Sequence, residues 1–144
     1  HEHHARRLHW DLRLEHDGVL LSFALPRGVP EDPSENRLAV HTEDHPIEYL
    51  DFEGTIPEKQ YGAGDVIVWD WGHFEPDPET PDPAKSIRKG ELKFELHGEK
   101  LRGRYTIIRT SGRGGRTDER EQWLAPIARA RKMKTGIMPL PIAA

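Results

Sequence analysis

Residues 8–15, Leu-His-Trp-Asp-Leu-Arg-Leu-Glu, alternate apolar and polar without a break. That period predicts an extended strand, because successive side chains on a strand project to opposite faces. Leu8, Trp10, Leu12 and Leu14 are therefore expected on a core face. His9, Asp11, Arg13 and Glu15 share the other face, each roughly 6.5–7 Å from the next. An imidazole, a carboxylate and a guanidinium in one row are the groups needed to hold a divalent metal beside an anion.

The next signal fixes a register. Asp17-Gly18 is the dipeptide of a two-residue hairpin turn, and Val19–Leu25 reads as the returning strand. With Asp17 and Gly18 as the loop, His16 pairs with Val19 and Arg13 falls opposite Ser22. Directly opposed residues share a face, so Ser22 joins the polar row. Further strands are expected at 37–41, 65–71, 91–96, 104–109 and 122–124, with a turn at Leu96-His97-Gly98-Glu99. Residues 31–36 read as a polar loop, and the Pro- and acid-rich stretch 74–85 shows no pattern to bury. Ser111–Arg116 reads as a flexible basic loop. Short strands divided by Gly/Pro turns, with almost no helical period, predict a mainly β fold. The expected architecture is a single compact β-barrel, closed or nearly so, with long polar loops and little helix.

Composition sets the frame. A chain of 144 residues is long enough for one domain with a genuine core. No apolar run is long enough to span a bilayer and no signal peptide is visible, so a cytoplasmic protein with no membrane partner is expected. The absence of cysteine excludes disulfides and thiolate metal sites. The opening His1-Glu2-His3-His4 reads as native sequence, since purification tags rarely contain Glu. Net charge is −4, but it is unevenly spread. Residues 29–99 carry six basic and eighteen acidic side chains, while residues 100–144 carry eleven basic and three acidic. Such a bipolar chain can present a positive side to nucleic acid, though the basic run 129–134 reads equally as a solvated tail.

Two imidazoles and a carboxylate form a common three-point site for Mn²⁺, Fe²⁺ or Zn²⁺. His9 and Asp11, two apart on a strand, can reach one ion, with His3, His41 or His45 as the third ligand. The spacing alone leaves a metal centre and a solvated polar face equally open, because exposing the row costs nothing whereas burying it unpartnered costs several kcal/mol.

Longer stretches carry a resemblance. His3-His4-Ala5-Arg6-Arg7-Leu8-His9-Trp10-Asp11-Leu12-Arg13-Leu14-Glu15 is similar to the opening motif of the 3′-phosphoesterase domain of bacterial DNA ligase D and its standalone relatives. The likeness continues through Asp17–Leu20, Ser22–Gly28, Arg37–Pro46, Tyr49, Asp51–Pro57 and Tyr61–Asp70, with weaker echoes at Lys93–Leu101 and Trp123-Leu124. It implies one such domain over residues 1–144, with 125–144 a divergent basic tail.

The resemblance further implies a Mn²⁺-dependent hydrolase acting on the 3′ ends of DNA or RNA–DNA primer-templates, other divalent metals being possible. A terminal ribonucleoside is removed first, and the remaining 3′-phosphate is then removed to leave a 3′-OH for end-joining repair. By the same resemblance His3, His9 and Asp11 match metal ligands, Arg13 and His45 match contacts to the scissile phosphate, and Tyr49 matches another essential residue. Ser22, Arg27, Arg37 and Glu43 match secondary substrate positions, Arg27 standing where the family usually has Lys. Glu2 also departs from a common Lys, and phosphate removal in the family draws on residues of an N-terminal extension. A monomer working with ligase or polymerase repair partners is the expected setting. Two rivals share the residues: an Fe²⁺ oxygenase built on His9, Asp11 and a distant His, and a non-catalytic module that binds nucleic-acid ends through the basic segment.

Overall fold

The computed structural model describes residues 1–60, 63–109 and 121–127. Its strands are β1 (Glu2–His4), β2 (Leu8–His16), β3 (Val19–Leu25), β4 (Arg37–Pro46), β5 (Gly54–Ile56), β6 (Gly64–Ile67), β7 (Gly72–Pro76), β8 (Glu91–Gly98), β9 (Arg102–Arg109) and β10 (Glu121–Pro126). Among the described residues helix α1 covers Pro83–Lys89 and a 3₁₀ turn covers Ile47–Tyr49. Among the described residues these strands form one antiparallel sheet in the order β5-β6-β1-β2-β3-β4-β10-β9-β8-β7. The mainly β class is as expected.

The Asp-Gly turn behaves as its chemistry demands. Asp17 and Gly18 have φ of 50° and 79°, the left-handed pair of a type I′ hairpin. His16 pairs with Val19 and Arg13 with Ser22, the register read from sequence. One face of β2–β3 is apolar, with Leu14, Leu21, Phe23 and Leu25 buried against Leu92, Phe94, Tyr105, Ile107 and Leu124. Leu8 departs from expectation: it lies at the start of β2, where little covers it, and is 44% exposed.

The expected barrel is not closed. The end strands β5 and β7 do not pair with each other, and the predicted strand 65–71 stops at Ile67 before β7 begins at Gly72. Residues 68–71 instead form a connector anchored by Asp70. Its Oδ1 accepts the backbone N–H groups of Glu99 and Lys100, each at 3.0 Å, and its Oδ2 accepts that of Leu101 at 2.9 Å. Gly98 is needed beside it, since a Cβ there would come within 2.5 Å of Asp70 Oδ2. The opening leaves a cleft lined by Trp10, Leu12, Trp69, Trp71 and Phe74.

Other boundaries moved for local reasons. β8 runs through Gly98, so the expected turn at 96–99 falls later, closed by Gly98 N–H to Leu101 O at 2.8 Å. The stretch 74–85 contains the end of β7 and the start of α1. Asp82 caps that helix at Lys85 N–H, Pro83 opens it, and Gly90 ends it with φ of 97°. Ile87 gives it a buried contact with the core. β4 extends to Pro46 instead of ending at His41, and β1 shows that Glu2–His4 belongs to the sheet. Ala125 and Pro126, assigned to the divergent tail, pair with β9. The loop 111–116 and the basic run 129–134 lie outside the described residues. No helix among the described residues is long and apolar enough to cross a membrane.

Asp70 makes a testable contribution. Several backbone donors lose a charged acceptor in Asp70→Ala, which is expected to cost about 2–4 kcal/mol in urea unfolding. Stability unchanged within error would show that the connector is held by its packing alone.

Candidate active site

The polar face of the sheet gathers its groups from four adjacent strands. β1 pairs with β2 so that His3 lies directly opposite His9. Their ring centres are 4.7 Å apart. Asp11 follows on the same face of β2, its Oδ1 3.2 Å from His9 Nε2 and its Oδ2 3.5 Å from His3 Nδ1. Ligand atoms of His3, His9 and Asp11 all lie within 4.8 Å of one another. Of the imidazoles left open as a third partner, His3 is the one brought to this pair. His41 instead stacks on Phe23 with ring centres 5.0 Å apart.

His3, Asp11 and Arg13 are largely buried instead of lying on a solvated face, while Glu15 at the end of the row is exposed. Side-chain exposure is 9% for His3 and Asp11, 8% for Arg13 and 22% for His9. Burial of that order is tolerable only because the groups satisfy one another. His9 Nδ1 lies 3.1 Å from the Arg7 carbonyl. That contact orients the ring and directs Nε2 toward Asp11, the arrangement in which an imidazole donates its lone pair to a metal. The hydrogen bond to Asp11 raises the His9 pKa above its ordinary value against the opposing pull of burial. Burial pushes the Asp11 carboxyl up, but the His9 hydrogen bond and the charges of His9 and Arg13 outweigh it and hold the group below the usual carboxylate value.

Arg13 joins this cluster to a second one. Its Nη2 is 3.5 Å from Asp11 Oδ2, and its Nη1 donates to Ser22 Oγ at 2.8 Å. Its Cζ sits 5.0 Å from the centre of the Tyr49 ring. Burial pulls the guanidinium pKa down while Asp11, Tyr49 and Glu43 act to raise it. Ser22 donates onward to the Leu20 carbonyl and lies 3.4 Å from His45 Nδ1. His45 Nδ1 is also 2.9 Å from the Glu43 carbonyl.

β4 reaches this arrangement through an irregularity. Leu20 pairs with His45 while Ser22 pairs with Thr42, so β4 carries an extra residue between them. Tyr49 follows in the 3₁₀ turn, with His45 5.4 Å away and Phe52 stacked at 4.8 Å. Burial raises its phenol pKa. His3, His9, Asp11, Arg13, Ser22, His45 and Tyr49 thus form one connected group, with Glu43 at its margin.

Arg27 and Arg37 are not brought into contact with that group. Arg37 hydrogen-bonds the Arg27 carbonyl and pairs with Glu35 Oε2 at 2.9 Å, at the far end of the β3–β4 connection. The residue not singled out from sequence is His1. Its Nδ1 accepts from Arg13 Nε at 3.1 Å, and its ring meets Tyr49 edge-on at 5.5 Å. The signal was present, since His1 and His3 repeat with the strand period opposite His9 and Asp11.

Over residues 1–109 the chain matches the family described as the DNA Ligase D 3′-phosphoesterase domain. It is 59% identical over 116 residues to the multifunctional non-homologous end joining protein LigD of Mycolicibacterium smegmatis, covering 78% of this chain and 15% of that protein. Identity to the LigD of Pseudomonas aeruginosa is 53% over 122 residues, covering 85% of this chain and 14% of that protein. For the multifunctional non-homologous end joining DNA repair protein LigD of Mycobacterium tuberculosis it is 50% over 124 residues, covering 86% of this chain and 15% of that protein. The chain therefore spans about 15% of the length of these relatives. The family match covers the strands β1–β4 that carry the buried polar cluster, and the chain belongs to the DNA Ligase D 3′-phosphoesterase domain family.

Proposed function

We propose that this chain is a metal-dependent phosphoesterase that heals the 3′ ends of a primer strand for end-joining repair. It removes a 3′-terminal ribonucleoside as a phosphodiesterase, then the exposed 3′-phosphate as a phosphomonoesterase, and leaves a 3′-OH. The observation that carries this reading is the contact between two clusters through Arg13: a His3–His9–Asp11 ligand set on one side and Ser22 with His45 on the other. The family membership and the names of the relatives, which are end-joining repair proteins, support the same direction. The chain is read as a cytoplasmic monomer that works alongside ligase or polymerase activities.

The donor set fits a divalent ion such as Mn²⁺, which tolerates mixed imidazole and carboxylate ligands. His3, His9 and Asp11 would hold it, and it would supply Lewis-acid neutralisation of phosphoryl charge. The protein's own part is positioning and charge stabilisation, which dominate phosphoryl transfer. Arg13 has more N–H donors than Asp11, Ser22 and His1 occupy, and its planar fork suits two phosphate oxygens. Ser22 and the face of Tyr49 fix that fork in place. His45 either stabilises developing charge or gives a proton to the leaving oxygen. With Nδ1 against the Glu43 carbonyl, any proton it delivers leaves from Nε2.

The decisive assay incubates the protein with Mn²⁺ and a primer-template ending in one 3′ ribonucleotide, and resolves the products on a gel. The expected order is a shortened strand bearing a 3′-phosphate, then one bearing a 3′-OH. An intact primer would refute the reading.

In the same assay His9→Ala and Asp11→Ala are expected to abolish turnover together with Mn²⁺ binding followed by electron paramagnetic resonance. Arg13→Ala is expected to keep the metal and lose turnover on the order of 10³-fold. Full turnover in any of the three contradicts the assigned roles.

Metal affinity should also depend on pH with a definite sign. Coordination needs neutral His9, and Asp11 raises the His9 pKa in the metal-free protein. Mn²⁺ binding is therefore expected to weaken with acidification from a higher pH than an ordinary imidazole would give, while Asp11 stays ionised. Affinity independent of pH from 8 to about 6 would exclude His9 as a ligand.

A further inference from the structure

The polar face has two ends of opposite charge. At the start of β2, the bend that joins it to β1 carries Arg6 and Arg7, both exposed and, among the described residues, without an ion pair. The Arg7 carbonyl lies 3.1 Å from His9 Nδ1, which ties this bend to the His3–His9–Asp11 set. Trp10 pairs with Leu25, so the exposed Arg27 ends β3 at the same end of the sheet. The acidic groups nearby are mostly engaged. Glu2, opposite Trp10, is held by His4 at 2.6 Å, and Asp65, opposite His4, by Thr55 at 2.7 Å. In the β3–β4 connection Glu35 pairs with Arg37 and Asp32 accepts from Ser34, which leaves Glu31.

The other end is the reverse. Segments 14–22 and 41–53, which frame it, contain seven Asp or Glu and no Lys or Arg. Glu15, Asp17, Glu43, Asp44 and Glu48 are exposed there. Leu20 pairs with both Glu15 and His45, so His45 stands level with this acidic end and beyond Arg13. From His9 to Glu15 the strand runs about 20 Å, and the sign of the charge changes over that length.

A nucleic-acid 3′ end is equally lopsided in charge. The strand that is kept carries a phosphate at every upstream linkage, whereas a departing 3′-terminal nucleoside carries none. We propose that the kept strand runs from the His3–His9–Asp11 set over Arg6 and Arg7, which bind its backbone phosphates, and that the departing nucleoside lies toward His45 and the acidic end. This rests on the phosphoesterase reading and adds a strand direction to it. An uncharged departing group suits an acidic surround that repels phosphate. The place of His45 agrees on separate grounds. Cleavage that leaves a 3′-phosphate breaks the P–O5′ bond: water gives its hydroxyl to phosphorus, and a proton passes to O5′ of the departing nucleoside. His45 lies across Arg13 from the Asp11 side, reached through Ser22, where that oxygen leaves.

The test measures binding of the full chain to a primer-template ending in a 3′-OH, by fluorescence anisotropy in EDTA over a range of KCl concentrations. Combining Arg6→Gln with Arg7→Gln is expected to lower the slope of log affinity against log salt by about two, one per lost phosphate contact. Circular dichroism checks that the variant folds. With Mn²⁺ present, the same variant is expected to raise KM and keep kcat. An uncharged methylphosphonate at the first linkage upstream of the scissile one should weaken binding to the wild type and have no further effect on the variant. An unchanged salt slope, or a methylphosphonate effect as large in the variant as in the wild type, overturns the proposal. Binding needs no cleavage, so a wild type that binds as expected and leaves a ribonucleotide-ended primer intact contradicts the phosphoesterase reading alone.

Discussion

The Asp11 carboxylate is the constraint on which the functional face depends. It lies nearly buried among His9, His3 and the Arg13 guanidinium, and desolvation alone would favour its neutral form. The imidazole hydrogen bond and the neighbouring positive charges reverse that preference and keep it ionised. In this low-polarity setting a carboxylate, an activated imidazole donor and a fixed guanidinium support one another. Removing any one leaves a buried charge without compensation, typically a loss of several kcal/mol. The same balance sets an anionic centre beside a fixed guanidinium, the pairing on which the proposed metal and phosphate roles rest.

Geometry makes that balance possible at low backbone cost. Strand period and antiparallel register place His3, His9, Asp11, Arg13 and Ser22 on one face without strained dihedrals at any of them. The opposite face of β2 and β3 buries Leu14, Phe23 and Leu25 in the main core, so the strands carrying the polar groups are held by their apolar side. Rigid strands thus position the first group of residues, while Tyr49 arrives on the short turn that follows β4.

Legibility in the sequence followed the range of the interactions involved. The placement of Arg13 opposite Ser22 was readable because an Asp-Gly turn permits only a narrow set of backbone geometries. His3 was harder, since nothing in Ala5-Arg6-Arg7 announces how β1 returns onto β2; spacing left three imidazoles equivalent, and the resemblance alone pointed to His3. His45 was out of reach of simple alternation, because the extra residue in β4 breaks the period between it and Thr42. Arg27 and Arg37, carried over from the resemblance, meet each other and not the cluster. The open sheet edge depends on Asp70 binding a turn some thirty residues away, a contact without a local sequence signature. Helix α1 did have local signals in Asp82, Pro83 and Gly90, but they were outweighed by the proline-rich composition around them.

A crystal of the protein soaked in Mn²⁺ and measured at the manganese absorption edge tests the central claim most directly. The expected result is an anomalous peak within coordination distance of His3 Nδ1, His9 Nε2 and the Asp11 carboxylate, on the side facing Arg13. A peak elsewhere with this cluster empty, or none at saturating Mn²⁺, would contradict the assignment of a metal centre to this face.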